Sequence, residues 1–344
     1  MTLTAHEQDI KTQAQVEAIA QEIKTTQPLT SQLHPIASLP SHLNLPVEAD
    51  LQSNKNGQNF MDGCRYLATQ YTSFRAIRGD GNCYYRAFLY SLCEKLLRRD
   101  TSKVKRKVTS KVSSTNTSTN TSTDTSTDIS TNSGTTGQEK ELKRIQTYVN
   151  DSLAEVTKYG YDQFTIEMFH DELVDLMTFV AACSSNQNSS IKVNANEIEN
   201  AEKLHEKLNE ENATSDYCTW FLRVITSAYL KKDAGRFVHF LDDPNYFDVP
   251  TFCQREVDPM GKECGMVQVL ALAEAFGVRV EIEYLDGNAL LNDGKVLMRH
   301  TFGADAGVEA KRSNSSEHAN DGKDDSNPVN ITLLYRPGHY DILY

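Results

Sequence analysis

Apolar residues recur at spacings of three and four along much of this chain, the period of a helix with one buried face. Across residues 84–92 that period puts Tyr84, Ala87, Phe88 and Leu92 on one side. The same reading predicts helices over 146–158, 166–183, 216–231, 236–241 and 267–276, with Gly277 as the C-cap of the last. Residues 248–253 look like the start of another short helix. Near the N-terminus, residues 5–25 read as a polar helix with a thin stripe of Ile10, Val16, Ile19 and Ile23. Two readings of that stripe stand: a helix that meets a partner, or a disordered tail.

Further on, the period changes. Val278, Val280, Ile282 and Tyr284 alternate with Arg279, Glu281 and Glu283, which predicts a strand buried on one face only. Residues 331–335 read as a buried strand, Pro337-Gly338 as a break, and 339–343 as extended chain again. Pairing 278–285 with 331–335 gives a sheet across the helix that begins near Cys83. The expected fold class is α/β (α+β): a small central sheet flanked by helices, with a helical arm over about 164–241.

Two stretches lack any such pattern. Residues 101–138 have a centre, 113–136, made almost wholly of Ser, Thr, Asn and Asp, which cannot supply a core. Residues 303–327 are charged and polar and precede the final strand. Both read as insertions, which a fold tolerates because closure entropy grows only logarithmically with loop length. Residues 26–46, with Pro28, Pro35, Pro40 and Pro46, read as irregular chain. The expected organisation is a helix and flexible segment over 1–45, then one domain over 46–344 carrying both insertions.

Composition narrows the classes. With 344 residues and 39% hydrophobic content the chain can bury a real core. A net charge of −12 argues against a nucleic-acid surface. The run Lys103-Val104-Lys105-Arg106-Lys107 reads first as solvated surface and second as a nuclear-import patch. No signal peptide or long apolar run is visible, so a cytoplasmic protein without membrane spans is expected, with the nucleus as a second location. Sequons such as Asn212-Ala213-Thr214 then carry little weight. Seven cysteines without metal-ligand spacing read as reduced thiols, with no disulfide frame, metal or cofactor expected.

Candidate chemistry sits at two distant places. Asp80-Gly81-Asn82-Cys83 combines turn-forming residues with a thiol at the start of a helix. Unpaired N–H groups and a positive dipole end there favour thiolate, and the N–H groups of the helix start and of the Gly81-Asn82 turn can receive an oxyanion. Taken alone, Cys83 is equally a small buried residue at a helix start. Gly338-His339-Tyr340-Asp341 supplies the complement. His339 and Asp341 share a strand face, so the carboxylate can fix the imidazole tautomer and leave the other nitrogen for a thiol proton. The apolar ending Ile342-Leu343-Tyr344 predicts a terminus docked in the core.

With both fragments in view, the chain resembles the otubains, cysteine deubiquitinases of the ovarian-tumour superfamily (peptidase family C65). The resemblance runs through residues 80–88, 164–169, 214–217, 222–230 and 252–260, and it is most specific over 334–344. Gln21-Glu22-Ile23 and Gln27-Pro28-Leu29 resemble the family's leading helix and the turn after it. It implies a papain-like fold with Cys83 as nucleophile, His339 as general base and then acid, and Asp341 as the group orienting it. Asp80 matches the nucleophile-loop aspartate, and Gly81 and Asn82 the backbone near the oxyanion. Whether Asp80 caps the helix or touches the imidazole stays open.

The implied substrates are ubiquitin and polyubiquitin chains, cut after the C-terminal glycine, often at the linkage that marks proteins for proteasomal degradation. The leading region would hold the ubiquitin that carries the scissile lysine, and the arm the other one. Ubiquitin-conjugating enzymes are the second implied partner, through a non-catalytic block of chain synthesis that would not need Cys83. A monomer is expected. An unrelated papain-like protease ranks third, since it would not share the flanking segments. One departure stands: Glu263-Cys264-Gly265-Met266 replaces an Asp-His pair of animal otubains, which puts any substrate contact of that pair in doubt.

Overall fold

The computed structural model describes residues 5–45, 55–97, 137–185, 193–241, 246–291, 296–304 and 328–344. Most of each expected insertion, with the basic run 103–107, lies outside them. The helices are α1 (Ala5–Thr26), α2 (Leu39–His42), α3 (Lys55–Gln70), α4 (Cys83–Leu97), α5 (Gly137–Val156), α6 (Gln163–Ser185), α7 (Val193–Lys207), α8 (Thr214–Lys232), α9 (Ala234–Phe237), α10 (Val249–Phe252) and α11 (Met266–Phe276). The strands are β1 (His34–Pro35), β2 (Ser73–Arg75), β3 (Arg279–Tyr284), β4 (Met298–Gly303), β5 (Asn330–Arg336) and β6 (His339–Leu343).

One sheet joins the strands in the order β1-β2-β6-β5-β3-β4. β3 and β5 are parallel, with Val280 opposite Ile331 and Ile282 opposite Leu333. The other neighbours are antiparallel. Pro337-Gly338 closes the β5–β6 hairpin. Proline sets φ at its own position, and Gly338 takes φ +75, the combination a type II turn requires. Across that hairpin Arg336 faces His339 and Leu334 faces Asp341. The turn therefore puts the histidine at the first residue of β6.

Both faces of the sheet are covered. Leu333 and Ile342 join the larger core with α4, while Leu334 and Leu343 join a second core with Leu39, Leu67 and Phe74. This corrects the one-sided reading of β3, because Glu281 and Glu283 are buried as well. Glu281 pairs with Arg279 and Arg299. Glu283 accepts a hydrogen bond from Tyr71 Oη at 2.8 Å, and burial raises its carboxyl above the usual range. Alternation failed as a guide here because charge partners came from neighbouring elements rather than from solvent.

α4 shows the same effect. Every residue except Lys95 is buried, not one face, because β5 and β6 pack on one side and α5, α6, α7 and α8 on the others. The helix expected over 146–158 starts nine residues earlier, at Gly137, where the charged stretch hid the pattern. Within it Glu141 is buried against Arg144, whose guanidinium also donates to Phe276 O at 2.8 Å at the end of α11. Asp248 caps α10 by accepting from Thr251 N at 2.7 Å, and Gly277 ends α11 with φ +59, the C-cap expected there. Residues 26–45 are less irregular than their prolines imply, holding β1, a 3-10 turn (Ile36–Ser38) and α2. Gly303 closes β4, so the second insertion begins after it.

Phe276 lies fully buried with ring centroids of Tyr148 at 4.9 Å and Phe88 at 5.3 Å. Phe276→Ala is expected to lower the unfolding free energy in urea titrations by about 3–5 kcal/mol. Phe164→Ala, at a side chain 90% exposed, should change it by no more than about 0.5 kcal/mol. Equal losses in the two variants would contradict this core.

Candidate active site

Residues 78–82 turn the chain from β2 into α4. Gly81 adopts φ +75, and a Cβ there would stand 2.0 Å from the carbonyl oxygen of Gly261, so only glycine permits the approach. Asp80 Oδ1 accepts from Asn82 N at 3.0 Å. Both oxygens of Asp80 receive Arg86 Nη1, at 2.9 and 2.8 Å, while Arg86 Nη2 donates to Asp216 at 2.9 Å. Asp80 therefore shapes the loop through Asn82 and Arg86, and among the described residues no hydrogen bond joins it to the imidazole. Cys83 follows as the first residue of α4, and it is buried.

One expectation about backbone donors needs correcting. The N–H of Asn82 is spent on Asp80, and that of Gly79 donates to Gln27 Oε1 at 3.0 Å. Those of Gly81 and Cys83 have no acceptor among the described residues. Asn82 contributes its side chain instead: Oδ1 accepts from Arg223 at 2.8 Å and from Gly261 N at 2.9 Å. An Asx turn competes for a nearby N–H, and that competition removed the donor.

On β6, His339 Nε2 meets Asp341 Oδ1 at 2.9 Å. The same oxygen accepts from Ile77 N at 3.0 Å, and Oδ2 accepts from Arg336 Nη2 at 3.0 Å and Nε at 3.2 Å. Burial opposes ionisation of Asp341, yet His339, Arg336 and the Ile77 N–H hold its carboxyl below the usual range. With Nε2 engaged, Nδ1 is the ring nitrogen left over, and it lies against the nucleophile loop, 3.7 Å from where a Cβ on Gly79 would sit. Burial lowers the basicity of His339, but the bond to Asp341 and the neighbouring Cys83 outweigh it and raise the imidazole from 6.5 to about 9. The other cysteines have no such partner. Burial pushes the thiols of Cys64 and Cys253 up to about 12 and about 11.

Sequence reading missed several residues that set this geometry. Arg223 is a lone charge inside the apolar run Trp220-Phe221-Leu222-Arg223-Val224-Ile225, and such an interruption is itself a signal of a buried, hydrogen-bonded role. Arg336 and Asp216 carry no comparable mark. Arg78, also buried, donates to Gln27 O at 2.8 Å and pairs with Glu211. Those contacts dock the end of α1 beside the nucleophile loop, while Ile10, Val16 and Ile19 remain more than half exposed. Glu263 lies over the hairpin turn, its Oε1 3.0 Å from where a Cβ on Gly338 would sit. Among the described residues no group of three or more His, Cys, Asp or Glu side chains could hold a metal ion.

The arrangement brings a thiol at a helix start near an imidazole held by a buried carboxylate, with N–H groups beside it that have no acceptor among the described residues. Comparison with known proteins bears on that chemistry. The sequence model of the family described as Peptidase C65 Otubain matches residues 13–133 and 135–344. Ubiquitin thioesterase OTUB1 of Homo sapiens is 29% identical over 334 residues, 96% of this chain and 88% of that protein. An ovarian tumour domain-containing deubiquitinating enzyme of Arabidopsis thaliana is 26% identical over 83% of this chain and 73% of its own length. Among solved structures, the complex of h/ceOTUB1 with ubiquitin aldehyde and UBC13~Ub aligns at TM-score 0.64 and 25% identity, covering 98% of both chains. A related complex with UBCH5B~Ub aligns at 0.63 and 26% identity, over 98% of this chain and 97% of that one.

Folding favours the imidazolium of His339, so that residue contributes stability present in full below about pH 6.5 and lost as pH rises through about 9. The ring Cε1–H resonance should titrate with a midpoint near 9 by NMR. Asp341→Asn should move that midpoint down, because the burial that lowers it remains while the charge that raises it is gone. An unchanged midpoint in the variant would contradict the assigned pair.

Proposed function

The chain belongs to the peptidase C65 otubain family, and on that premise we propose that it hydrolyses isopeptide bonds after the C-terminal glycine of ubiquitin in polyubiquitin chains. The observation that carries this reading is the pairing of His339 Nε2 with the buried Asp341 carboxylate, which leaves Nδ1 against the loop that leads into Cys83. His339 Nδ1 takes the thiol proton, and the Cys83 sulfur attacks the carbonyl carbon of the terminal glycine. The oxygen of the tetrahedral species faces the helix start, where the Cys83 N–H, with that of Gly81, donates to it. The imidazolium then returns its proton to the departing lysine amine, leaving a thioester on Cys83. Water, deprotonated by the same nitrogen, attacks the thioester and releases the ubiquitin carboxylate. Asp341 keeps Nε2–H pointed away from the sulfur throughout and offsets the positive ring.

A second activity has its own support. α1 projects exposed Ile10, Val16 and Ile19, its end is docked at the nucleophile loop, and the similar solved complexes contain conjugating enzymes joined to ubiquitin. Binding to a ubiquitin-charged conjugating enzyme would use that helix without the thiol.

Single-turnover assays on di-ubiquitins of every linkage separate the two. Wild type should cleave one linkage by preference, and Cys83→Ala should reduce that rate by ~10⁴-fold or more. The same variant should still slow chain synthesis by a charged conjugating enzyme. Cleavage that survives Cys83→Ala would remove the thiol from the mechanism. No cleavage by wild type, with synthesis still slowed, would leave the binding activity alone.

A further inference from the structure

Beside the proton-carrying residues, polar contacts near Cys83 converge on Arg223, in the middle of α8. Its side chain is fully buried. Nη1 donates to Val257 O at 3.0 Å, and Nη2 donates to Gly81 O at 2.9 Å, Asn82 Oδ1 at 2.8 Å and Lys262 O at 2.7 Å. The guanidinium carbon lies 4.5 Å from the ring centroid of Tyr85. Asn82 Oδ1 adds the bond from Gly261 N, so one guanidinium and one amide oxygen join the turn before Cys83 to the 257–262 segment.

A buried cation needs acceptors, and here these are oxygen dipoles rather than a carboxylate. Fixed dipoles have a direction. The peptide between Gly81 and Asn82 is held at both ends, its oxygen by Arg223 and its N–H by Asp80. That peptide immediately precedes the Cys83 N–H. Packing of Gly81 against Gly261 O leaves the turn no room to relax sideways.

We propose that Arg223, acting through Gly81 and Asn82, is a positioning residue for the nucleophile. It locks the peptide plane next to Cys83, and with it the direction in which the Cys83 N–H and sulfur meet the scissile carbonyl. This role rests on the cysteine-hydrolase reading above. It makes the loop ordered before substrate arrives, so its loss acts on turnover more than on binding.

The test combines hydrogen exchange, kinetics and thermal melting on Asn82→Leu, Asn82→Asp and Arg223→Lys. Asn82→Leu deletes the shared acceptor at similar volume, Asn82→Asp keeps an acceptor, and Arg223→Lys keeps the charge with a shorter reach. Asn82→Leu and Arg223→Lys should raise amide exchange in peptides covering 79–85 and 257–262 and not in β5 or β6. With ubiquitin carrying a C-terminal aminocoumarin, Asn82→Leu should lower kcat by ~10²-fold with KM within about threefold. Asn82→Asp should recover at least about tenfold of that loss, through charge-assisted bonds to Arg223. Unchanged exchange in both segments overturns the lock, whatever the activity. A kcat loss equal in Asn82→Leu and Asn82→Asp, or one that follows the melting temperature, overturns the positioning role. Wild type that fails to turn over removes the hydrolase reading instead, and exchange still decides the lock.

Discussion

The site depends on one buried carboxylate. Taking Asp341 out of water costs several kcal/mol, and the fold offsets that cost by filling both oxygens. Oδ1 binds the Ile77 N–H and His339, and Oδ2 binds Arg336. Each partner comes from a different part of the chain. Ile77 leads into the nucleophile loop, Arg336 ends β5, and His339 opens β6. A single ionised group thus ties the sheet to the loop and sets the tautomer of the imidazole between them. The hairpin register makes this possible. A slip of one residue between β5 and β6 would turn His339 and Asp341 to the opposite face and break every one of these bonds.

The thiol is held from the other side by two buried arginines. Arg86 spans Asp80 and Asp216, and Arg223 spans the Gly81 turn and the 257–262 segment. Removing one partner of a buried charge leaves the other uncompensated, so these contacts are coupled and not interchangeable. α4 itself has no freedom to tilt, since the sheet and four helices enclose it. Order at the helix start therefore comes from the scaffold.

Legibility in the sequence followed the physics of each signal. Residues 267–284 could be read almost to the residue, because an apolar helix, a glycine cap and β-branched residues agree locally. Cys83, His339 and Asp341 were legible for a different reason: strand alternation alone puts the last two together, and a turn before an apolar helix marks the first. α3 and α7 were not, since their apolar positions are few among polar residues. Glu281 and Glu283 read as solvent-facing because their partners, Arg299 and Tyr71, are distant in sequence. The Asn82 N–H failed for a local reason, an Asx turn that no hydrophobic pattern reports. Residues of the two expected insertions fall largely outside the described structure, and their expectations stand as they were.

The central claim is that Cys83, among seven cysteines, is the one the fold activates. It is tested most directly by treating the native protein with ubiquitin whose C-terminal carboxylate is replaced by an electrophile, then locating the adduct by peptide mass mapping. The account predicts a single ubiquitin attached at Cys83, with no adduct on Cys64, Cys93, Cys183, Cys218, Cys253 or Cys264, and none anywhere once the protein is unfolded in urea. An adduct on another cysteine, or equal labelling of the unfolded chain, would contradict it.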